Sequence, residues 1–206
     1  MQLPAILGDR RARRIGLLGG SFNPAHAGHR HISLLALSHL DLDEIWWMVS
    51  PQNPLKSSDG MAPQQERIAG ALAVAQHPRI KVTGIEAQLG SRYTADTLTI
   101  LCQRFPRSRF VWLMGADNLL QISRWEKWRK IFQLAPIAIF ARPPYSLMAL
   151  KGRAARVFAP ARLNLRASRR LALMEPPAWV FFPTKLDPLS ATEIRSQQRR
   201  SGRRLS

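Results

Sequence analysis

This sequence is short of several things, and each shortage removes a class of protein. It has one cysteine in 206 residues, Cys102, so neither an intrachain disulfide nor a multi-cysteine zinc site can form within it. Cys102 falls in the apolar pattern "TLTILCQRF", where a buried, inert thiol is expected. No stretch approaches the roughly 18 uncharged apolar residues of a membrane span. The opening "MQLPAILGDRRARR" sets its apolar patch before its arginines, the reverse of a secretory signal, and this points to a cytoplasmic protein with no membrane partner. Acids are scarce: 13 Asp+Glu stand against 31 Lys+Arg, for a formal net charge of +18. No zinc-finger spacing and no aromatic RNA-recognition pattern goes with that charge, so no specific nucleic acid is expected. A non-catalytic nucleic-acid-binding protein stays the alternative of another class. The other reading of the charge is a field that attracts polyanionic small molecules.

The chain has apolar material for a core, 46% hydrophobic residues, and a length that suits one domain. The basic excess lies mostly at the ends, with thirteen Lys/Arg against three acids in residues 151–206. The division expected is a basic N-terminal extension (1–13), a single domain (14–198) and a basic tail (199–206). Short apolar runs alternate with longer helical patterns. Strands are predicted at 14–20, 44–50, 79–84, 109–117, 135–144 and 178–184. Helices are predicted at 29–40, 63–77, 93–105 and 190–200, the last opened by Ser190 with Glu193 three residues on, a capping box. In the helix at 29–40 the apolar positions are Ile32, Leu35, Ala36 and Leu40. Residues 145–178, rich in Ala and Arg, read as a helical insertion or loop. Strands alternating with helices, without hairpin signals, predict an α/β fold: a Rossmann-like open parallel sheet of five to six strands with helices on both faces.

In such sheets ligands bind beyond the carboxyl ends of the strands. "GGSFNPAHAGHRH" stands at the end of the first. Gly19 and Gly20 let the backbone turn and approach a ligand closely. A helix beginning near Ala27 would aim free N–H groups at the same spot, an anion site. His26 and His29 are three apart, so the start of that helix can set both rings on one side, while His31 reads as a solvent-facing residue. The G-x-G-x-x-G dinucleotide fingerprint is absent. So is H-E-x-x-H, and no acid or thiol lies near the histidines to complete a zinc set, so no protein-held metal is expected.

The stretch "GGSFNPAHAGH" resembles the nucleotide-binding loop and H-x-G-H signature of the nucleotidylyltransferase superfamily. "LSATEIR" (189–195) resembles that superfamily's second signature, I-S-S-T-x-I-R, with Leu189 for Ile and Ala191 for the second Ser. Within the superfamily, "MVSPQNPLK" (48–56), "RYTADTL" (92–98), "LMGADNLLQISRWEKWRKIF" (113–132) and "ARPPYSL" (141–147) are similar to segments of the bacterial nicotinate-nucleotide adenylyltransferases. The likeness runs from about Arg14 to Arg195 and is weakest across 148–177. The nearest rivals are sister adenylyltransferases that use pantetheine phosphate or nicotinamide mononucleotide.

The resemblance implies an enzyme with ATP and nicotinate mononucleotide as its partners, Mg²⁺ arriving with ATP, and a homo-oligomer as an open possibility. It implies that Gly19, Gly20, Ser21, Phe22 and His29 form the ATP loop, with His26, His29 and Arg195 catalytic. Ser190, Thr192 and Arg195 would hold the β- and γ-phosphates, Asp117 the adenosine ribose, and Arg142 another part of ATP. Asn53, Lys56, Thr94 and Trp125 fall to the nicotinate nucleotide. Lys56 would meet a phosphate as a point charge, Thr94 N–H the ring carboxylate, and Trp125 the ring face. Trp125 and Trp128 read as the apolar face of one helix, with Trp128 in the core. The loop that bears His29 and the segment that bears Arg195 are expected to converge on one triphosphate pocket.

Overall fold

The computed structural model describes residues 7–51, 60–142 and 144–183. Six parallel strands form one sheet: β1 (Arg14–Gly20), β2 (Glu44–Val49), β3 (Ile80–Thr83), β4 (Arg109–Gly115), β5 (Ile137–Phe140) and β6 (Trp179–Phe182). Their order is β3-β2-β1-β4-β5-β6. The chain runs outward from β1 to β3, then returns to the middle and runs outward again from β4, so the direction of winding reverses between β1 and β4. That reversal opens a crevice at the carboxyl ends of the two central strands.

Strand alternation divides the core into two layers. Ile15, Leu17, Trp46, Met48, Trp112, Met114 and Ile139 face one side, where they meet α3 (Ile85–Gln88), α4 (Thr94–Arg104), α5 (Ala116–Gln121), α6 (Trp128–Leu134), α7 (Ser146–Leu150) and α8 (Arg153–Val157). Leu18, Ile45, Trp47, Val49, Leu113 and Phe140 face the other side, against α1 (Ala27–His39), α2 (Gln64–Ala75) and the 3₁₀ segment Leu165–Leu173. Both faces are covered, which is why the strands are apolar throughout.

The six expected strands and the fold class are present, with β5 and β6 shorter than their apolar runs suggested. The 145–178 segment is a helical insertion, folded as α7, α8 and 3₁₀ turns. The expected helix at 190–200 lies outside the described residues. Two expectations about helix faces need correction. In α1 the fully buried residues include Ser33 and Leu37, whereas Ile32 and Leu35 are half-buried. Ser33 can be buried because its hydroxyl donates to His29 O (2.8 Å) and accepts from Trp47 Nε1–H (2.8 Å), so no polar group is stranded. Trp125 and Trp128 do not share a helix: Trp125 is extended at the end of a 3₁₀ turn, and Lys127, with φ 51°, reverses the chain before α6 begins. Trp46, Trp47 and Trp128 lie in the core as expected. Cys102 is half-buried rather than buried, and burial pushes its thiol above the usual value.

Residues 9–13, ahead of β1, are tied to the domain. Arg13 pairs with Glu44 at 2.6 Å and with Asp9 at 2.8 Å, and Ser108 Oγ donates to Arg11 O. No helix among the described residues is long and apolar enough to cross a membrane.

Candidate active site

Two groups of residues flank Gly19 and Gly20, one on each face of the sheet. The first is built by the chain leaving β1. Phe22 turns it with φ 47°, a left-handed conformation unusual for a bulky residue. Its ring is buried between Trp47 (5.2 Å between centroids) and His29 (4.7 Å). His26 is the extended residue that caps α1, and His29 lies one turn in. Their rings stand 3.9 Å apart. His26 N–H donates to His29 Nδ1 at 3.2 Å, and His29 N–H donates to His26 O at 3.0 Å.

The bond into His29 Nδ1 fixes the tautomer. A ring nitrogen that accepts carries no proton, so neutral His29 bears its proton on Nε2, a donor for a ligand. Both rings are neutral near pH 7. Burial lowers His29 to about 3, with smaller contributions from His26 and the Arg142 guanidinium. Burial, then Arg142, lowers His26 to about 4. His26 Nδ1 is buried and has no partner among the described residues.

Arg142, in the loop after β5, donates from Nη1 to Asp117 Oδ2 at 2.9 Å. Asp117 sits in the first turn of α5, directly after β4. Its other oxygen, Oδ1, is buried and unpartnered among the described residues. Gly115 makes room for it, since a Cβ there would lie 2.4 Å from Oδ1. Gly19 has a different reason to lack a side chain: its Cβ would stand 2.6 Å from the Trp112 ring.

The second group surrounds a cavity of about 340 Å³ on the opposite face. Gly19 and Gly20 form one wall, Tyr93, Trp112 and Trp125 are its aromatic residues, and Ser50, Glu86 and Thr94 also line it. Thr94 is the first residue of α4, as expected. The Asp96 and Thr97 N–H groups both donate to Tyr93 O, so the open donors at this helix start are the earlier ones. Behind them the Thr97 hydroxyl meets Glu86 Oε1 (3.2 Å) and Ser91 Oγ (2.8 Å). Burial pushes the Glu86 carboxyl up to about 7, and the Thr97 bond only partly offsets this. Lys127 Nζ bonds Asp96 Oδ1 at 3.0 Å and links the Trp125 loop to α4.

Gly19, Gly20, Ser21, Phe22, His26, His29, Asp117 and Arg142 thus gather at the crevice, and Thr94 and Trp125 line the cavity beside it. Asn53, Lys56, Ser190, Thr192 and Arg195 lie outside the described residues. Reasoning from sequence missed Trp112, Glu86 and Arg67. Trp112 gives no signal beyond an apolar strand. Glu86 could have been noticed as the acid two residues beyond the apolar run at 79–84. Arg67 shares a spacing of four with Ala71 and Ala75, both buried, which marks it as inward-facing.

A doubly wound parallel sheet with glycines and neutral imidazoles at its switch point defines a nucleotide-binding α/β protein. The comparisons with known proteins refine this. Residues 17–197 match the cytidylyltransferase-like family model. The chain is 50% identical over 184 residues to a probable nicotinate-nucleotide adenylyltransferase of Parvibaculum lavamentivorans, covering 89% of this chain and 92% of that protein. It is equally similar to one of Methylorubrum extorquens, covering 89% of this chain and all of that protein. The fold is shared with the nicotinic acid mononucleotide adenylyltransferase of Plasmodium falciparum, solved in complex with NaAD (TM-score 0.66, 18% identity, 89% of this chain and 83% of that one). The chain therefore belongs to the cytidylyltransferase-like family and, within it, to the nicotinate-nucleotide adenylyltransferases.

Proposed function

We propose that this enzyme transfers the AMP moiety of ATP to nicotinate mononucleotide, the adenylyl transfer of NAD biosynthesis. A phosphate oxygen of the mononucleotide attacks the α-phosphorus of ATP. The bond from that phosphorus to the bridging oxygen breaks, pyrophosphate leaves, and deamido-NAD forms. The observation that carries the reading is the two-sided site: an imidazole pair and an aromatic cavity meet across Gly19 and Gly20.

The attacking group is already an anion, so the protein's work is to position it and stabilise charge. Neutral His29, with its proton on Nε2, and His26 are the donors for the α-phosphoryl oxygens, where negative charge grows in the transition state. Neutral donors suit this role because they bind a tetra-anionic substrate without needing to gain a proton from water. Gly19, Gly20, Ser21 and Phe22 bring backbone close to the nucleotide. Asp117 Oδ1, the acceptor left open beside its Arg142 pair, suits a ribose hydroxyl, and Arg142 keeps N–H groups for ATP. On the other face, Trp125 and Trp112 take the pyridine ring, and the start of α4 at Thr94 takes its carboxylate. A carboxamide brings no charge to that helix end, so the acid is favoured over the amide.

Mg²⁺ would enter bound to the phosphates of ATP, where it would neutralise part of their charge. Among the residues outside the described ones, the family resemblance assigns Asn53 and Lys56 to the mononucleotide and Ser190, Thr192 and Arg195 to the β- and γ-phosphates.

The test is pyrophosphate release from ATP and Mg²⁺ with nicotinate mononucleotide, nicotinamide mononucleotide and phosphopantetheine compared side by side. The acid mononucleotide is expected to give the highest kcat/KM. Turnover with phosphopantetheine alone, or with none of the three, rejects the proposal.

A further inference from the structure

Arg67 is buried, at 3% exposure, yet no carboxylate pairs with it among the described residues. Four of its five N–H groups donate to backbone carbonyls instead. Nε binds Ala62 O (2.8 Å), Nη1 binds both Ser21 O (2.6 Å) and Ser50 O (2.8 Å), and Nη2 binds Pro51 O (3.0 Å). These carbonyls come from three separate stretches of chain: the loop leaving β1, the loop leaving β2, and the approach to α2. Burying a charge is costly unless it is well satisfied, so a site built this way has a reason beyond packing.

The neighbouring bonds share one purpose. Gln64, one turn before Arg67 on the same helix face, donates to Val49 O (2.7 Å). Ser50 donates to Gly20 O from its N–H (2.9 Å) and from its hydroxyl (3.2 Å). Asn23 reaches Gly60 O and accepts from Ala62 N–H. The first turn of α2 is thus a bracket across the carboxyl ends of β1 and β2. Ser21 belongs to the loop that leads to His26 and His29, whereas Ser50 and Pro51 line the aromatic cavity.

We propose that Arg67 is a positioning residue that sets the distance between the phosphate-facing loop and the cavity wall, and so aligns the two bound substrates with each other. It touches neither substrate. A planar fork of five donors can hold carbonyls in several directions at fixed angles; the three donors of a lysine ammonium, on a compact point charge, cannot. The inference rests on the adenylyl-transfer reading, which places one substrate on each side.

Misalignment by about 1 Å can cost about 100-fold in rate. Arg67→Lys and Arg67→Ala should therefore lower kcat by about 100-fold. The Kd of ATP alone and of nicotinate mononucleotide alone, measured by calorimetry, should stay within about threefold, because each half-site is intact by itself. Millimolar guanidinium ion should restore part of the Arg67→Ala rate, and methylammonium should not. Arg67→Lys keeps the charge and most of the stem, so it carries the test should Arg67→Ala fail to fold. A kcat within threefold of wild type in Arg67→Lys overturns the inference. So does a loss of rate matched by an equal loss of both binary affinities, which marks a merely structural arginine. Wild-type protein that turns over no pyridine mononucleotide overturns the underlying reading instead, and the two failures are told apart by that control.

Discussion

The two faces of the site differ in how they are built and in how they respond to charge. On the imidazole face, the parts come from one continuous stretch, Gly19 to His29, which Asp117 at the start of α5 and Arg142 in the loop after β5 approach from the crevice. Its titratable rings are held neutral by burial. On the cavity face the parts come from four separated places: Ser50–Pro51, Glu86–Thr94, Trp112 and Arg124–Glu126. Its one buried acid is pushed toward neutrality. Burial disfavours the charged form on both faces, but of groups of opposite kind: the two imidazoles are neutral near pH 7, and the Glu86 carboxyl, raised to about 7, is held partly protonated there. A site that receives two phosphate-bearing anions gains from this, because a carboxylate ionised beside the cavity repels the mononucleotide, and neutral imidazoles can donate without changing protonation state.

The strongest way to test the contrast is to remove one part from each face. On the proposed mechanism, His29→Ala removes a transition-state donor and should lower kcat by about 100- to 1,000-fold, with KM for both substrates nearly unchanged, in a pyrophosphate-release assay. Trp125→Ala removes the proposed stacking platform and should raise KM for nicotinate mononucleotide about tenfold, the expected worth of one aromatic stack, while KM for ATP stays within about twofold. If both variants damage both substrates alike, the division into two faces is wrong.

The opposite sense of the pKa shifts gives a further separation. His26 and His29 are lowered from the ordinary 6.5 to about 4 and about 3. Below pH 6.5 the unfolded chain binds protons that the folded chain refuses, so stability falls as the pH drops through that window. Glu86 is raised from 4.5 to about 7. Its contribution is full below pH 4.5 and is lost as the pH rises toward 7. Thermal melts from pH 4 to 8 should therefore show His26→Gln/His29→Gln with a shallower acid-side fall, and Glu86→Gln with a smaller loss between pH 4.5 and 7. A Glu86→Gln profile that overlays the wild type from pH 4.5 to 7 removes the carboxyl's part in the contrast. The smallest effect is expected at the exposed Lys127–Asp96 pair. Lys127→Ala should change kcat/KM by no more than about threefold, since exposed ion pairs are weak, and 0.5 M salt should erase the difference.

The fold and the imidazole face were legible because their signals are local. Six apolar runs, interrupted at turn lengths and separated by helical spacing, lead to a covered parallel sheet whatever the details of packing. The glycines, Pro24 and the two histidines fall within one short stretch, so their proximity follows from the chain itself. Thr94 announced the start of α4 for the same reason. The pair Trp125 and Trp128 misled because spacing alone cannot show a chain reversal. Lys127 in a left-handed turn sends one ring to the cavity and the other to the core.

The amino-acid sequence by itself determined the class of fold, the order of its elements, the imidazole loop and the family to which the chain belongs. Tertiary structure alone decided which strands became neighbours, and so placed Trp112 behind Gly19, Glu86 beneath Thr94, and Arg67 among carbonyls of three loops. The reason is physical: periodicity and turn chemistry act over a few residues, whereas a cavity wall or a buried guanidinium is satisfied only by groups that the sheet order brings together. Nothing in the local pattern around Arg67 states that Ser21, Ser50 and Pro51 are its acceptors; the winding of β1 against β2 does.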